Sequence, residues 1–409
     1  MPLDAPEVPG MSGRALTPMF RPDPYLDLTD YEADADLMVL NLGPQHPSTH
    51  GVFRIKLVLD GEVIIKAVGY PGYLHRGVEK LCEKLTYSNI TPIVDKNDYI
   101  SPMINEQAVN MAFEAAAGIE VPRRGRWIRT LLAEIQRVAS HLIAMGTFTL
   151  DIGGAIGGGA SMFMWAFRDR EMILDLFEDL SGCRFHYNTS CVGGQRHDIT
   201  TGWEKRAVEV LSIIESRIPE YERFMSENPI FVARTRHIGV LSRDLALELG
   251  LGGPIGRASG VDVDLRRDAP YHCYDELDVR VPVMTAGDNE ARFLVRVAEV
   301  KESIRLAKQL CEGVPEGPIC GAKPNIGPAT IKIKTGEVYV GVEGPRGELG
   351  HYLIAGGPGG KPTMPYRLKI RPPSLHALQC IPYLLPGNNL SDAIAILGSL
   401  DPVMGEVDR

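Results

Sequence analysis

Apolar and polar residues alternate through Phe53-Arg-Ile-Lys-Leu-Val-Leu59 and again through Glu62-Val-Ile-Ile-Lys-Ala-Val68. Alternation puts every second side chain on one face of a strand. Asp60-Gly61 lies between the two runs and is favoured in a type I′ turn, so the stretch predicts a β-hairpin, with a strand over Leu37-Met-Val-Leu-Asn41 ahead of it. From Glu79 to about Gly182 the period becomes helical, with breaks expected at Pro92, Pro122 and the glycine cluster 153–159. The clearest helix runs from Trp127 to about Met145, where Ile128, Leu131, Leu132, Ile135, Val138, Ala139 and Leu142 form one apolar stripe. Amphipathic helices are also predicted over Met162 to Leu180, Trp203 to Glu227 and Asn289 to Leu310, while Gly252-Gly253-Pro254 and Arg257-Ala-Ser-Gly-Val-Asp262 read as a loop. Past Pro328 period two returns in Ile331 to Lys334, Glu337 to Val340, His351 to Ile354 and Tyr366 to Ile370, and these strands are expected to join the hairpin in one antiparallel sheet.

The pattern is that of an α+β chain without internal repeats. Residues 1–37, with scattered prolines and acids, read as an N-terminal extension. Residues 38–409 read as a single domain: a hairpin region at 38–75, a helical core at 76–327, and strands with a tail at 328–409.

Composition narrows the classes. With 44% hydrophobic and 23% charged residues in 409, the chain is an ordinary globular protein able to bury a large core. A net charge of −9 gives no general reason to bind nucleic acid, so no nucleic-acid partner is expected. No stretch supplies the ~20 apolar residues of a membrane span, Ile152 to Phe167 being short and glycine-rich, and the N-terminus lacks a secretory pattern. A soluble, unsecreted chain is expected, touching a membrane only through other subunits or a docking surface. Seven scattered cysteines (Cys82, Cys183, Cys191, Cys273, Cys311, Cys320, Cys380) contain no C-x-x-C pair. They suit a reducing cytoplasm, and no iron-sulfur cluster is expected on this chain itself.

Candidate chemistry is sparse. His46 and His50, four apart in a Pro/Ser loop, can be brought near one point. Ordinary loop packing, a small-molecule donor role and a metal site all remain open, the last lacking further ligands at a finger spacing. Gly250-Leu-Gly-Gly-Pro-Ile-Gly256 follows a helical stretch and holds Pro254, which reads as a turn and not a dinucleotide loop. Gly356-Gly-Pro-Gly-Gly-Lys361 is one residue short of a phosphate loop and has Pro362 where Ser or Thr belongs. Asp98, ahead of a helix, and Asp151, following one, read locally as caps or surface carboxylates. No Gly-x-Ser-x-Gly elbow supports hydrolase chemistry.

Longer strings carry more. Gly43-Pro-Gln-His-Pro-Ser-Thr-His-Gly51, His75-Arg-Gly-Val-Glu-Lys80, Asn105-Glu-Gln107, Arg257-Ala-Ser-Gly260, Pro345-Arg-Gly-Glu-Leu-Gly350 and Asp401-Pro-Val-Met-Gly-Glu-Val-Asp-Arg409 together resemble the D-type subunit of bacterial respiratory complex I, from about residue 38 onward. The resemblance implies the quinone-site subunit of a proton-pumping NADH:quinone oxidoreductase, similar in fold to the nickel-iron hydrogenase large subunit. That hydrogenase's two Cys-x-x-Cys pairs are missing here; the equivalent positions are Asp98 with Ser101, and Val403 with Glu406. Hydrogen chemistry on a soft metal is therefore not expected, and no metal site is assigned.

By the same resemblance, His50 and Tyr99 bind the quinone headgroup, Asp151 partners the histidine, and Arg76 and His186 lie near the terminal tetranuclear cluster of a neighbouring subunit. Expected partners are that subunit, a protein like the C-type subunit of the complex, and the membrane subunit at the quinone channel, with this chain peripheral on the cytoplasmic face of the inner membrane. Quinone is the expected substrate, and no flavin or cluster is expected on this chain. Two departures stand out: Gly153-Gly-Ala-Ile-Gly-Gly-Gly159 replaces a shorter stretch carrying Thr-Pro and aromatics, and Cys191 stands where the family carries an arginine.

Overall fold

The computed structural model describes residues 36–153, 158–321 and 331–409, so the N-terminal extension and most of the glycine cluster lie outside the described residues. At the centre is the helix Arg123–Gly153, whose predicted stripe is fully buried; the helix packs against Gly159–Ser181 and Asn289–Glu312, and Trp203–Ser226 packs on those two. The predicted helices are all present. The central one runs longer at both ends, starting just after Pro122 and continuing through Asp151 instead of stopping before it. Pro122 acts as the expected break, but Pro92 sits inside the short helix Tyr87–Val94, which ends two residues later.

The single antiparallel sheet is not observed. Met38–Leu42, Arg54–Asp60 and Val63–Tyr70 form one three-stranded sheet, and Glu337–Gly344, Gly347–Gly356 and Lys361–Arg371 form another. The physical reason lies at the edges. The free edge of Val63–Tyr70 is taken by residues 387–390: Ile64 N–H donates to the Asn388 carbonyl (2.9 Å), and Gly387 N–H to the Ile64 carbonyl (2.8 Å). That end of the edge is closed to the C-terminal strands, and the two sheets pack on different cores. The first covers Leu378, Ile381, Ile396 and Met404; the second covers Ile90, Ile104 and Phe113.

Three smaller expectations are also corrected. The hairpin turn is Gly61-Glu62, and of these only Gly61 lies at positive φ (60°), whereas type I′ requires both. Ile331 to Lys334 forms no strand. Its apolar residues are buried, yet Pro362 opposite has no N–H to return the bond that Ile333 N–H donates to the Pro362 carbonyl (2.8 Å). The expected loop at 252–262 contains a short helix, Gly253–Ala258, with Pro254 in its first turn, where a missing N–H costs nothing.

Candidate functional site

Between Met38–Leu42 and Arg54–Asp60 the chain makes a small ribbon, Gln45–His46 pairing with Gly51–Val52 across the one-turn helix Pro47–Thr49. The Thr49 hydroxyl, buried, donates to the carbonyls of His46 (2.8 Å) and Gly51 (2.9 Å), which sets the shape of the tip. His50 follows at φ 53°, a left-handed conformation uncommon outside glycine, Asn, Asp and His, and Gly51 at φ 135°. The two histidines separate here: His46 is exposed, and His50 turns inward. Its Nε2 lies 2.5 Å from Asp151 Oδ2, with the two side chains only 11% and 12% exposed.

Asp151 is delivered by the last turn of the central helix. Across from it, Gly398 in the helix Leu390–Leu400 leaves room for the pair, since a Cβ there would stand 2.3 Å from Asp151 Oδ2 and 3.4 Å from His50 Nε2. Burial alone would depress the His50 pKa. The hydrogen bond and charge of Asp151, with the charge of Asp401, outweigh burial and the opposing charge of Arg346, so the pKa is raised. The imidazole is thereby favoured as imidazolium.

Tyr99 meets the C-terminal tail one residue further on. Gly51 packs on the Met404 side chain, and a Cβ on the next residue, Gly405, would sit 3.2 Å from Tyr99 Cε1 and 2.6 Å from the Asn97 carbonyl. Burial, then the negative charge of Asp98, raise the Tyr99 pKa, with Arg346 opposing and Asp401 and Glu406 adding to the rise, so the phenol keeps its proton near neutrality. Gly51 and Tyr99 thus both rest on Met404-Gly405, and His50 and Tyr99 share the fields of Asp401 and Arg346.

Arg346 ties this floor together. It donates to Asp98 Oδ2 (2.8 Å) and the Asp401 carbonyl (2.8 Å), and pairs with the Asp401 carboxylate (3.1 Å), all nearly fully buried. Ser101 donates to the same Asp98 oxygen, and Glu406 accepts from Ser374 N–H (2.8 Å). Burial, then repulsion from Asp98, push Glu406 up to about 7.

On the outer side, Arg76 Nη2 donates to Asn97 Oδ1 and to the Gly405 carbonyl, both at 3.0 Å. His186 Nδ1 lies 3.8 Å from Asp95 Oδ2, and burial, then the charges of Lys96 and Arg76, lower its pKa. Burial pushes Asp95 itself up to about 6. Between them the half-exposed Phe185 ring stands 6.5 Å from that of Tyr99. Of the five residues singled out in the sequence, Tyr99, Arg76 and His186 gather round the 95–99 segment, while the His50–Asp151 pair lies against Gly398 and shares the charges of Asp401 and Arg346 with Tyr99.

The residues missed were Arg346, Asp401, Gly398 and Gly405. Arg346, Asp401 and Gly405 stand inside strings already noted, Pro345 to Gly350 and Asp401 to Arg409, but only the fold shows that they face the site. A groove of about 400 Å³ elsewhere is lined by Glu215, Arg280, Lys301, Glu302 and Arg305, and contains none of these residues. Its charges are already paired, Arg305 with Glu302 and Lys301 with Glu222. Among the described residues no three His, Cys, Asp or Glu side chains cluster as a metal site, and no helix is long and apolar enough to cross a membrane.

Comparison with known proteins agrees across most of the chain. Residues 157–409 match the family described as respiratory-chain NADH dehydrogenase, 49 Kd subunit. The D-type subunit of the NADH-quinone oxidoreductase of Geobacillus kaustophilus is 45% identical over 372 residues, covering 91% of this chain and 98% of that protein. Its Clostridium beijerinckii counterpart is 42% identical, covering 93% and 99%. A chain of the membrane-bound sulfane sulfur reductase, an archaeal respiratory membrane complex, superposes with a TM-score of 0.86 at 34% identity, covering 92% of this chain and all of its own. The chain belongs to the respiratory-chain NADH dehydrogenase 49 kDa family, which holds the D-type subunits of NADH-quinone oxidoreductase.

Proposed function

We propose that this chain forms the quinone reduction site of a proton-pumping NADH:quinone oxidoreductase, His50 and Tyr99 donating hydrogen bonds to the two headgroup oxygens. The observation that carries the reading is the His50–Asp151 pair at 2.5 Å, which shares the charges of Asp401 and Arg346 with the Tyr99 phenol. A quinone oxygen gains negative charge on reduction, so donors already aimed at it favour the reduced form and supply protons. Asp151 keeps the imidazole charged and oriented; Tyr99, its proton held by burial, donates from the opposite side. When His50 gives up its proton, the net charge of its pair with Asp151 falls by one, and this change is the signal that reaches the pumping subunits.

Arg76 and His186 face the terminal tetranuclear cluster of an adjacent subunit in this reading. A cation there favours the reduced cluster, and since the His186 pKa is lowered, Arg76 is the fixed charge. The fold is of the nickel-iron hydrogenase large-subunit type, and the positions of the lost cysteine pairs hold the Asp98, Ser101 and Glu406 set bound through Arg346 and Ser374. The chain lies peripherally on the cytoplasmic face of the inner membrane, against the subunit that binds the cluster, a protein like the C-type subunit, and the membrane subunit at the quinone channel. A second reading rests on the solved neighbour, which belongs to a sulfane sulfur reductase: a related membrane complex in which this subunit is a scaffold with a degenerate quinone pocket. Presence of the His50–Asp151 pair and the higher identity to quinone oxidoreductase subunits favour the first.

The test is quinone reductase turnover of the assembled complex carrying Tyr99→Phe or His50→Ala. Loss of a proton-transferring group is expected to cost on the order of 10² to 10⁴ in kcat. Near-normal turnover in both variants, with native and short-chain quinones alike, removes the headgroup assignment.

A further inference from the structure

The hairpin formed by Ser190–Cys191 and Gly194–Gln195 is so tight that Cys191 pairs directly with Gly194. A third segment runs along it: Gly194 bridges to Cys320, Gln195 N–H donates to the Ile319 carbonyl (3.1 Å), and Gly321 N–H donates to the Gly193 carbonyl (3.0 Å). Gly194, at φ 150°, permits this approach because a Cβ there would stand 2.1 Å from the Ile319 carbonyl oxygen and 2.7 Å from Cys320 Cα. Two sulfurs far apart in the chain are thereby brought together. The Cys191 side chain is within hydrogen-bonding reach of the Cys320 side chain, and both residues are thiols in the structure.

We propose that Cys191 and Cys320 form a reversible thiol–disulfide pair that fastens this hairpin to the 319–321 segment when the protein meets a peroxide. Cys320 is the less buried of the two and reacts first. Its thiolate attacks a peroxide oxygen, the O–O bond breaks, and the products are a sulfenic acid on Cys320 and, with hydrogen peroxide, one water once the leaving hydroxide is protonated. The Cys191 sulfur then attacks the sulfenic sulfur, forming the S–S bond. The hydroxyl departs with the Cys191 proton as a second water. Two thiols lose two electrons and two protons, and the peroxide is reduced to two waters. Burial pushes the Cys191 thiol up to about 12, so it stays protonated and is not the sulfur that attacks the oxidant; its role as the resolving thiol rests on its position beside Cys320.

The hairpin is prepared for the bond because its backbone is already fixed. Ser190 and Gly193 N–H groups donate to Glu106 (2.9 Å) and Glu114 (2.7 Å), and Arg129 donates to the carbonyls of Cys191 (2.8 Å) and Gly194 (3.0 Å). The hairpin thus holds Cys191 in place; because Cys191 and Cys320 pair with opposite edges of Gly194, closing the S–S bond draws the 319–321 segment in toward the hairpin. Cys183, exposed, is an internal control for the general reactivity of the chain's thiols toward peroxide.

The experiment is to treat the assembled complex with hydrogen peroxide, alkylate remaining thiols in denaturant, and map the peptides of this chain, before and after dithiothreitol. The expected result is a peptide pair joined through Cys191 and Cys320, released by dithiothreitol, and lost completely in Cys191→Ser and in Cys320→Ser. In Cys191→Ser, Cys320 should pass on to sulfinic and sulfonic acids at least several-fold more than in the wild type. Separate alkylation of both cysteines after peroxide, or equal over-oxidation of Cys320 with and without Cys191, overturns the proposal. Because the wild-type map alone reads the cross-link, failure of either variant to assemble leaves the test intact.

Discussion

Replacing Gly398 by alanine isolates the His50–Asp151 pair from every question of folding. The residue lies in the helix Leu390–Leu400 outside the left-handed region, so alanine suits its backbone and gains about 0.8–1 kcal/mol of intrinsic helix preference. The added methyl, however, lands 2.3 Å from Asp151 Oδ2, where ordinary contact begins near 3.5 Å, so the carboxylate must withdraw by about 1 Å. That takes the 2.5 Å bond past hydrogen-bonding range and removes a charge-assisted interaction of about 1.5–3 kcal/mol. Positional error of this size in a reacting group costs on the order of 10²-fold in rate. The sign of the pH effect follows from the same contacts. Asp151 holds the His50 pKa above its ordinary value against burial; once it retreats, burial dominates and the pKa falls below 6.5, so the protonated form survives only at lower pH. The assay is kcat/KM for quinone against pH in the assembled complex, with Asp151→Asn as the comparator that weakens the same bond without the methyl. Both variants should lose activity and show the His50 limb moved toward acid, with assembly unimpaired. Wild-type kcat/KM and an unmoved limb in Gly398→Ala would refute the assignment of that limb to this pair.

Two further variants probe the frame of the site. Arg346→Met strands the carboxylates of Asp98 and Asp401, 4% and 6% exposed, and should destabilise by about 3–5 kcal/mol, with partial recovery on adding Asp98→Asn; thermal unfolding of the chain checks this, and coincident melting with the wild type contradicts it. His351, fully buried in Gly347–Gly356, has neither ring nitrogen hydrogen-bonded, and burial pushes its pKa down to about 3. A depressed histidine pKa contributes stability above its ordinary 6.5 and loses it as pH falls toward 3, about 5 kcal/mol in all. His351→Leu should therefore match or exceed the wild type at neutral pH and pull ahead as the solution is acidified, read from urea midpoints; parallel acid loss in both chains shows that His351 is not responsible.

What can be read along the chain is what repeats locally. The stripe from Ile128 to Leu142 and the alternation from Phe53 to Leu59 announce their faces within a few residues, and the helix and hairpin stand where that periodicity puts them. Sheet membership cannot be read this way, because which edge a strand finds depends on distant segments such as 387–390. Gly253–Ala258 is hidden for a different reason: six residues with two glycines and a proline carry a turn's composition and form a helix only because packing holds them. The site divides similarly. His50, Tyr99, Asp151, Arg76 and His186 are found by likeness of strings, and their local spacing alone leaves His50 no better placed than His46. Arg346 has no local signature at all, since its partners, Asp98 and Asp401, lie 248 and 55 positions away.

The C-terminal tail has a consequence for how the molecule matures. Asp408 receives the Gly72 and Leu74 N–H groups (both 2.7 Å), the Arg409 carbonyl receives that of Arg76 (3.2 Å), and Gly405 abuts Tyr99. Contacts of such long sequence separation close late, after most of the chain entropy has been lost. A nascent polypeptide emerging from the ribosome therefore carries His50 and Tyr99 without this floor until Met404 and Gly405 have been added. Any assembly factor or neighbouring protein that recognises the surface organised by these contacts is, by that fact, selecting chains whose translation has passed Asp408.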